Sequence, residues 1–187
     1  MDENQLFYHL LLSLVPQVGD VHISILLEHF QDPQTIFKAK RKELESLNGI
    51  GSIRANAIKS CNQQERVEKE LAFIHKNGIR VLVKGSQEYP QKMQHFQDAP
   101  HMLYYKGSVD VNYSKIVGII GTRSPTAYGK ETVEALIKDL QQLDVLVVSG
   151  LAYGIDTIVH KEALKKNLAT IGVLGHGLDQ IYPQANR

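Results

Sequence analysis

Glycine stands beside polar side chains in three short segments of the C-terminal third, Gly121-Thr122-Arg123, Ser149-Gly150 and Gly175-His176-Gly177. Glycine has no Cβ atom, so turns built on it let backbone N–H groups approach an anion closely. The guanidinium of Arg123 adds a planar set of donors that suits a phosphate. If the fold brings the three segments together, they form an anion site.

The elements around these segments predict that they do meet. Apolar runs at 114–121, 144–150 and 169–177 read as buried strands, and the stretches between them read as helices. The order β-α-β-α-β predicts a parallel sheet with right-handed crossovers. Ligands of such sheets bind at the carboxyl ends of the strands, where all three segments would lie. We therefore predict an α/β fold with a phosphate site at that edge.

Neither common nucleotide-binding fingerprint is present at the first of these turns. The string GIIGTR lacks the G-x-G-x-x-G of dinucleotide sites, and the chain has no G-x-x-x-x-G-K-[ST] P-loop. The prediction of a phosphate-binding site therefore depends on the position of the turn in the fold rather than on a known motif.

Several of these side chains also have structural interpretations. Arg123 could pair with Asp156 or Asp179 instead of a phosphate. Ser149 could cap the following helix while still lining the site. Asp156 is expected in the first turn of that helix, where its charge complements the helix dipole.

Two further residues are candidates for contacts around the anion. Tyr128 could stack on a nucleobase or pack at the start of its helix, and His176 could line the pocket. Asp156 and His160 lie four residues apart and could face a metal, but no third ligand is near in sequence. We predict no metal, no cofactor and no catalytic residue, since Cys61 also lacks a neighbouring general base.

Residues 1–62 predict a small helical domain. Leu10–Phe30 and Lys42–Cys61 each read as helix, turn, helix. Gly49 and Gly51 in the second turn match a helix-hairpin-helix, whose Gly-h-Gly turn (h is apolar) points N–H groups at a DNA phosphate. The alternative is that both glycines only make a tight turn in a domain that docks proteins.

The rest of the chain divides into two predicted parts. Residues 63–113 combine a helix with two short strands and form a connecting α/β segment, and 114–187 hold the parallel sheet.

Composition excludes several classes of protein. No apolar run approaches the ~20 residues that span a bilayer, and the acidic N-terminus is unlike a secretory signal. The single cysteine rules out an intramolecular disulfide, which favours a cytoplasmic protein. The acidic and basic residues are spread evenly along the chain and leave a net charge of +1. A site for a polyanion must therefore be local.

Three strings carry a resemblance to a known family: GIIGTRSPTAYG, VVSGLAYGIDTIVHKEAL and TIGVLGHGLDQIYPQAN. They resemble the DNA-processing protein A family, DprA, also called Smf. The lead-in YPQKMQHFQDAPHMLYYKG is similar to that family's entry to its Rossmann-like domain. Residues 1–62 resemble, more loosely, its small helix-hairpin-helix or SAM-like domain.

The resemblance implies a single-stranded DNA-binding protein that is not an enzyme. Members of this family act as dimers, protect incoming DNA and load the RecA recombinase during natural transformation. Carried over by motif, the phosphate pocket would comprise the residues Gly121, Thr122, Arg123, Ser149, Gly150 and Gly154.

One departure from the family concerns length. The family's Rossmann-like domain continues well past IYPQAN, so we expect this chain to be a fragment or a truncated product, with a sheet that lacks its further strands. The missing part would help to complete the DNA groove and would carry the dimer contacts.

Two other functions compete with DNA binding. The first is a nucleotide-hydrolysing enzyme similar to the lysine-decarboxylase-like phosphoribohydrolases, although their P-G-G-x-G-T-x-x-E motif is absent. The second is a protein-docking module that acts through the N-terminal helices.

Overall fold

The computed structural model describes residues 1–180 and 182–186. The chain folds as two compact units, Met1–Lys106 and Gly107–Arg187. The domain limits placed from the sequence after residues 62 and 113 stay predictions. In the described ranges, no helix combines the length and the apolar character needed to cross a lipid bilayer.

The first unit consists of helices followed by a two-stranded antiparallel sheet. Its helices are Glu3–Ser13 (α1), Asp20–Phe30 (α2), Pro33–Lys38 (α3), Arg41–Ser46 (α4), Gly51–Lys59 (α5) and Gln64–Lys76 (α6). Its strands are Arg80–Val83 (β1) and Met102–Tyr105 (β2), paired with Val81 opposite Tyr104.

Two helical hairpins, α1–α2 and α4–α5, pack around a shared apolar core. Arg54 of α5 connects their turns, because its Nε donates to the Gln17 carbonyl at 2.9 Å and a terminal nitrogen donates to the Gly49 carbonyl at 3.0 Å. Gln17 has φ 63° and Gly49 has φ 85°. Gln17 thus adopts the left-handed conformation that glycine favours, and it does so where the first turn lacks the glycine of the second.

A buried histidine pair attaches the β1–β2 hairpin to the helices. His9 of α1 lies with its Nδ1 at 2.9 Å from Nε2 of His101, which directly precedes β2. The backbone N–H of His101 donates to the Asp20 carboxylate at 2.8 Å. Burial lowers the pKa of His9 to about 4 and the pKa of His101 to about 3, so both rings are neutral at physiological pH.

The second unit is a parallel sheet with two helices. Its elements are Ile116–Gly118 (β3), Ala127–Leu140 (α7), Leu146–Ser149 (β4), Ile155–Lys165 (α8) and Ala169–Gly172 (β5). The strand order is β3-β4-β5, and each neighbouring pair is parallel. The predicted mixed α/β fold, with a β-α-β-α-β sheet after a helical region, is confirmed.

Apolar side chains of α7 and α8 pack against one face of this sheet. Val147 of β4 and Val159 of α8 are both fully buried in that layer. The helix α7 begins at a defined point because the Thr126 hydroxyl oxygen accepts a hydrogen bond from the Gly129 N–H at 3.2 Å.

The strand β3 is shorter than the apolar run that predicted it, because one side chain replaces the backbone ladder at its end. The Ile119 N–H still donates to the Val148 carbonyl at 2.9 Å. The Ile119 carbonyl, however, accepts from the Ser149 hydroxyl at 2.6 Å. The chain leaves the sheet after this contact. The glycine turn that follows is therefore not part of the backbone hydrogen bonding between the strands.

Candidate nucleic-acid interface

The predicted glycine segments leave the sheet at one edge. Gly121-Thr122-Arg123 follows β3, Ser149-Gly150 ends β4, and Gly175-His176-Gly177 follows β5. Because the three strands are parallel and adjacent, their carboxyl ends lie side by side.

The turn after β3 contacts the start of α8 so closely that glycine is required at two positions. A Cβ atom on Gly121 would lie 2.6 Å from Cγ1 of Ile155. Gly154 has φ 84°, and a Cβ there would collide with the Thr122 carbonyl and the Arg123 backbone. The Ile155 N–H donates to that same Thr122 carbonyl at 3.1 Å. These contacts hold Arg123 next to the N-terminus of α8.

Residues 150–154 are here named the β4–α8 loop, and side chains bind the carbonyl oxygens of its first three residues. The His160 ring contacts the Gly150 carbonyl at 2.6 Å, and the Thr157 hydroxyl donates to the Ala152 carbonyl at 2.7 Å. The Asn186 amide donates to the Leu151 carbonyl at 2.9 Å. Three successive carbonyls thus have partners supplied by α8 and by the segment near the end of the chain.

The two ring nitrogens of His160 have different partners. A carbonyl oxygen can only accept, so Nε2 carries the proton that is donated to Gly150. Nδ1 lies 2.8 Å from the Thr170 hydroxyl and, in a neutral ring, accepts its proton. Both nitrogens are therefore occupied by protein groups, and the described residues contain no cluster of three or more potential metal ligands.

The N–H groups of the same loop have no such partners. Among the described residues, none accepts a hydrogen bond from the N–H of Leu151, Ala152, Tyr153 or Gly154. The same holds for the N–H groups of Thr122 and Arg123. At the N-terminus of α8, carbonyl oxygens are thus hydrogen-bonded within the protein, while N–H groups remain available as donors. This arrangement favours the binding of an anion.

Arg123 is exposed and forms no salt bridge with the described part of the chain. Arg123 forms neither of the alternative ion pairs with Asp156 and Asp179. Asp156 lies against Gly150, and Asp179 lies against Gly177. Asp156 is buried, and its Oδ1 has no hydrogen-bond partner among the described residues. This carboxylate opposes an incoming anion, whereas the guanidinium of Arg123 attracts one.

The structure places the other predicted residues as follows. Ser149 is buried and its hydroxyl binds Ile119, so it does not cap α8, whose N-cap is Gly154. His176 is half-buried, and its Nδ1 donates to the Gly177 carbonyl at 2.9 Å. Tyr128, in the first turn of α7, is 78% exposed and therefore not packed into the unit's core.

The second predicted DNA contact lies in the first unit. Gly49 precedes α5 and Gly51 begins it, with φ values of 85° and 56°. Both glycines are therefore needed for the turn itself, and their contact with DNA stays a prediction.

Sequence reasoning misses the residues that orient the β4–α8 loop. It presents His160 only as a possible metal ligand, and it gives no role to Thr157, Thr170 or Asn186. A usable signal is present for two of them: Thr157 and His160 lie three residues apart on one helix face, directly after the glycine loop.

Comparison with known proteins places these features in a family. Residues 80–187 match the family model described as DNA recombination-mediator protein A. The DNA processing protein DprA of Bacillus subtilis is 36% identical over 137 residues, which are 72% of this chain and 46% of that protein. The chain thus spans about half the length of the curated relatives it matches.

Two solved structures are similar to the chain. The DNA processing protein A of Streptococcus pneumoniae matches with a TM-score of 0.68 and 28% identity over 100% of this chain and 62% of its own. The DNA processing protein A of Helicobacter pylori matches with a TM-score of 0.50 and 34% identity over 58% of this chain and 47% of its own. The latter structure concerns the single-stranded DNA binding mode of that protein.

Proposed function

Because this chain belongs to the DNA recombination-mediator protein A family, we propose that it binds single-stranded DNA through the carboxyl edge of its parallel sheet. The binding is independent of sequence, since the groups involved recognise phosphate rather than base edges. A DNA phosphate lies against the N–H groups of the β4–α8 loop and the guanidinium of Arg123.

The observation that carries this proposal is the polarity of that loop. The carbonyl oxygens of its first three residues, which would repel a phosphate, are held by His160, Thr157 and Asn186. Its N–H groups are left without partners among the described residues. A site in which donors are free and acceptors are occupied favours an anion over a cation or a neutral ligand.

The even distribution of acidic and basic residues along the chain supports binding of DNA at a small, local site. With a net charge of +1, the chain as a whole offers little attraction to a polyanion. Affinity therefore depends on a few phosphate contacts, and we expect it to fall as salt rises.

The test is fluorescence anisotropy with labelled oligo-dT over a salt series, for the parent chain and for Arg123→Ala. We expect salt-dependent binding by the parent, and a large loss with a shallower salt slope in the variant. Lys138→Ala is the matched control, because it removes one exposed positive charge from the last turn of α7, at the opposite end of that helix from the site. Equal losses in both variants would contradict a localised phosphate pocket.

The wider role is part of the proposal. We infer that the protein works in the cytoplasm with a second copy of itself, protects incoming DNA, and loads the RecA recombinase during natural transformation. It has no catalytic step of its own. Stimulation of RecA filament formation on single-stranded DNA, lost in Arg123→Ala, is the expected result; turnover of a nucleoside monophosphate would instead favour the nucleotide-hydrolysing alternative.

A further inference from the structure

Two tyrosines form an exposed aromatic pair at the edge of the proposed site. Tyr153 is 46% exposed and Tyr182 is 52% exposed. Their ring centroids lie 5.9 Å apart, and the ring planes meet at 83° in an edge-to-face arrangement. Neither hydroxyl bonds to another described residue.

The pair is attached to the loop that would bind the phosphate. Tyr153 is itself a residue of the β4–α8 loop, between two of its unbound N–H groups. Tyr182 belongs to the segment in which the Asn186 amide donates to the Leu151 carbonyl at 2.9 Å and to the Thr157 hydroxyl at 2.7 Å. The segment that carries Tyr182 is therefore hydrogen-bonded to the loop that carries Tyr153.

The geometry of the pair leaves aromatic faces open. In an edge-to-face pair, one ring covers a single face of its partner and presents only its own edge. At least three of the four ring faces are not covered by the pairing itself, and each ring is about half exposed. An exposed aromatic face beside a phosphate site is what a nucleobase requires for stacking.

We propose that Tyr153 and Tyr182 form a nucleobase-stacking subsite next to the phosphate site made by the β4–α8 loop and Arg123. This inference rests on the proposed DNA binding at the same edge. A base attached to the phosphate held by Arg123 and the loop stacks on this pair, and the ligand is thus a nucleotide unit of single-stranded DNA rather than a bare phosphate. Stacking requires no particular base, so the subsite adds affinity without adding sequence preference.

Tyr128 is a suitable comparison within the same unit. It is 78% exposed and belongs to the first turn of α7, but it has no aromatic neighbour among the described residues. A single exposed ring without a partner is less restricted in orientation, so Tyr128→Ala is expected to change affinity less than Tyr153→Ala does.

The experiment compares two ligands with the same number of phosphates, labelled oligo-dT and an abasic oligonucleotide, by anisotropy at one salt concentration. We expect the parent chain to bind oligo-dT roughly 5- to 100-fold more tightly than the abasic strand. Tyr153→Ala should remove most of this difference, whereas Tyr153→Phe, which keeps the ring, should retain it. Tyr182→Ala and Tyr182→Phe should follow the same pattern.

Each outcome decides the question. Equal binding of both ligands by the parent would overturn the stacking subsite and leave the phosphate pocket standing. A preference for oligo-dT that persists in both alanine variants would assign stacking to other residues and overturn this pair. Binding of neither ligand would overturn the proposed function together with the subsite.

Discussion

His160 holds the Gly150 carbonyl through its Nε2–H at 2.6 Å, although the two residues lie on different elements. Nδ1 of the same ring lies 2.8 Å from the Thr170 hydroxyl, so the ring connects the start of β5 to the end of β4. Gly150 is the first residue of the β4–α8 loop, and its carbonyl direction sets the orientation of the next N–H. A buried histidine outside the proposed contact surface therefore positions a backbone donor inside it.

We predict that His160→Ala weakens both folding and DNA binding. The change leaves the Gly150 carbonyl and the Thr170 hydroxyl without their partner, which costs about 1–3 kcal/mol of unfolding free energy. It also frees the loop, and we expect roughly fivefold weaker binding of oligo-dT, the equivalent of one hydrogen bond. Urea unfolding followed by circular dichroism and anisotropy at matched salt measure the two effects.

Two companion variants separate positioning from stability. His160→Gln keeps an amide donor for the Gly150 carbonyl and should recover part of the affinity. Thr170→Val removes only the second contact of the ring, so it should lower stability with a smaller effect on binding. Unchanged DNA affinity in a folded His160→Ala protein would show that this hydrogen bond does not position the loop.

Gly154→Ala tests the contact between the two loops. At φ 84° a side chain is strained, and its Cβ would collide with Thr122 and Arg123. We expect a loss of at least ~1–3 kcal/mol in unfolding free energy and a displaced Arg123 that no longer supports DNA binding. Gly118→Ala is the control, since a Cβ at Gly118 meets no atom within 4 Å. Similar stability losses in both variants would contradict the role of the close approach.

Arg54→Ala should loosen the helical region of the first unit. It removes the donors from the carbonyls of Gln17 and Gly49, which connect the turns of the two hairpins. We expect a loss of about 1–3 kcal/mol, measured by thermal or urea unfolding. Arg54→Lys should rescue little of it, because one ammonium group does not reproduce the planar fork that reaches both oxygens. Full rescue by lysine would show that only the charge matters.

The buried histidine pair predicts acid sensitivity. An unfolded histidine has a pKa near 6.5, whereas the folded pKa values of His9 and His101 are about 4 and about 3. Between these values the unfolded chain binds more protons than the folded one, so stability is complete above pH 6.5 and falls as the pH drops toward 4. We expect a decrease of roughly 3 kcal/mol for each histidine, or about 5 kcal/mol for the pair, across this window, measured by urea unfolding at several pH values.

The control for this prediction is a double variant, His9→Phe with His101→Phe. It removes both titrating rings, so its stability should change less between pH 6.5 and pH 4 than that of the parent. An equally steep decrease in both proteins would assign the acid sensitivity to carboxylates instead of to this pair.

The order of elements in the second unit was predictable because each element has a local signature. The buried strands read as apolar runs, and α7 shows helical periodicity from Val133 to Leu140. Parallel order and right-handed crossovers follow from general rules, so the meeting of three glycine segments at one edge could be expected before any coordinates. The family resemblance depends on the same segments.

The strand ends and the pairings across them were not predictable in this way. The apolar run through Ile119 and Ile120 continues past β3, but the Ser149 hydroxyl takes the Ile119 carbonyl and ends the ladder. A hydrogen bond between residues 30 positions apart leaves no local pattern, because it depends on where two strands are placed in space. The contact of Gly121 with Ile155 is hidden for the same reason.

The class of fold, the glycine turns and the arginine among them can be predicted from the residues alone, since periodicity and turn chemistry are local properties. The arrangement of free N–H groups and bound carbonyls at the site depends on how the chain packs in three dimensions. His160, Thr157 and Asn186 reach the β4–α8 loop from other parts of the chain and bind its carbonyls. Thr157 and His160 follow the loop closely in sequence, but Asn186 lies 35 residues from Leu151. The direction of each peptide dipole depends on where these partners are placed in space, so the anion preference of the loop could not be read from sequence spacing alone.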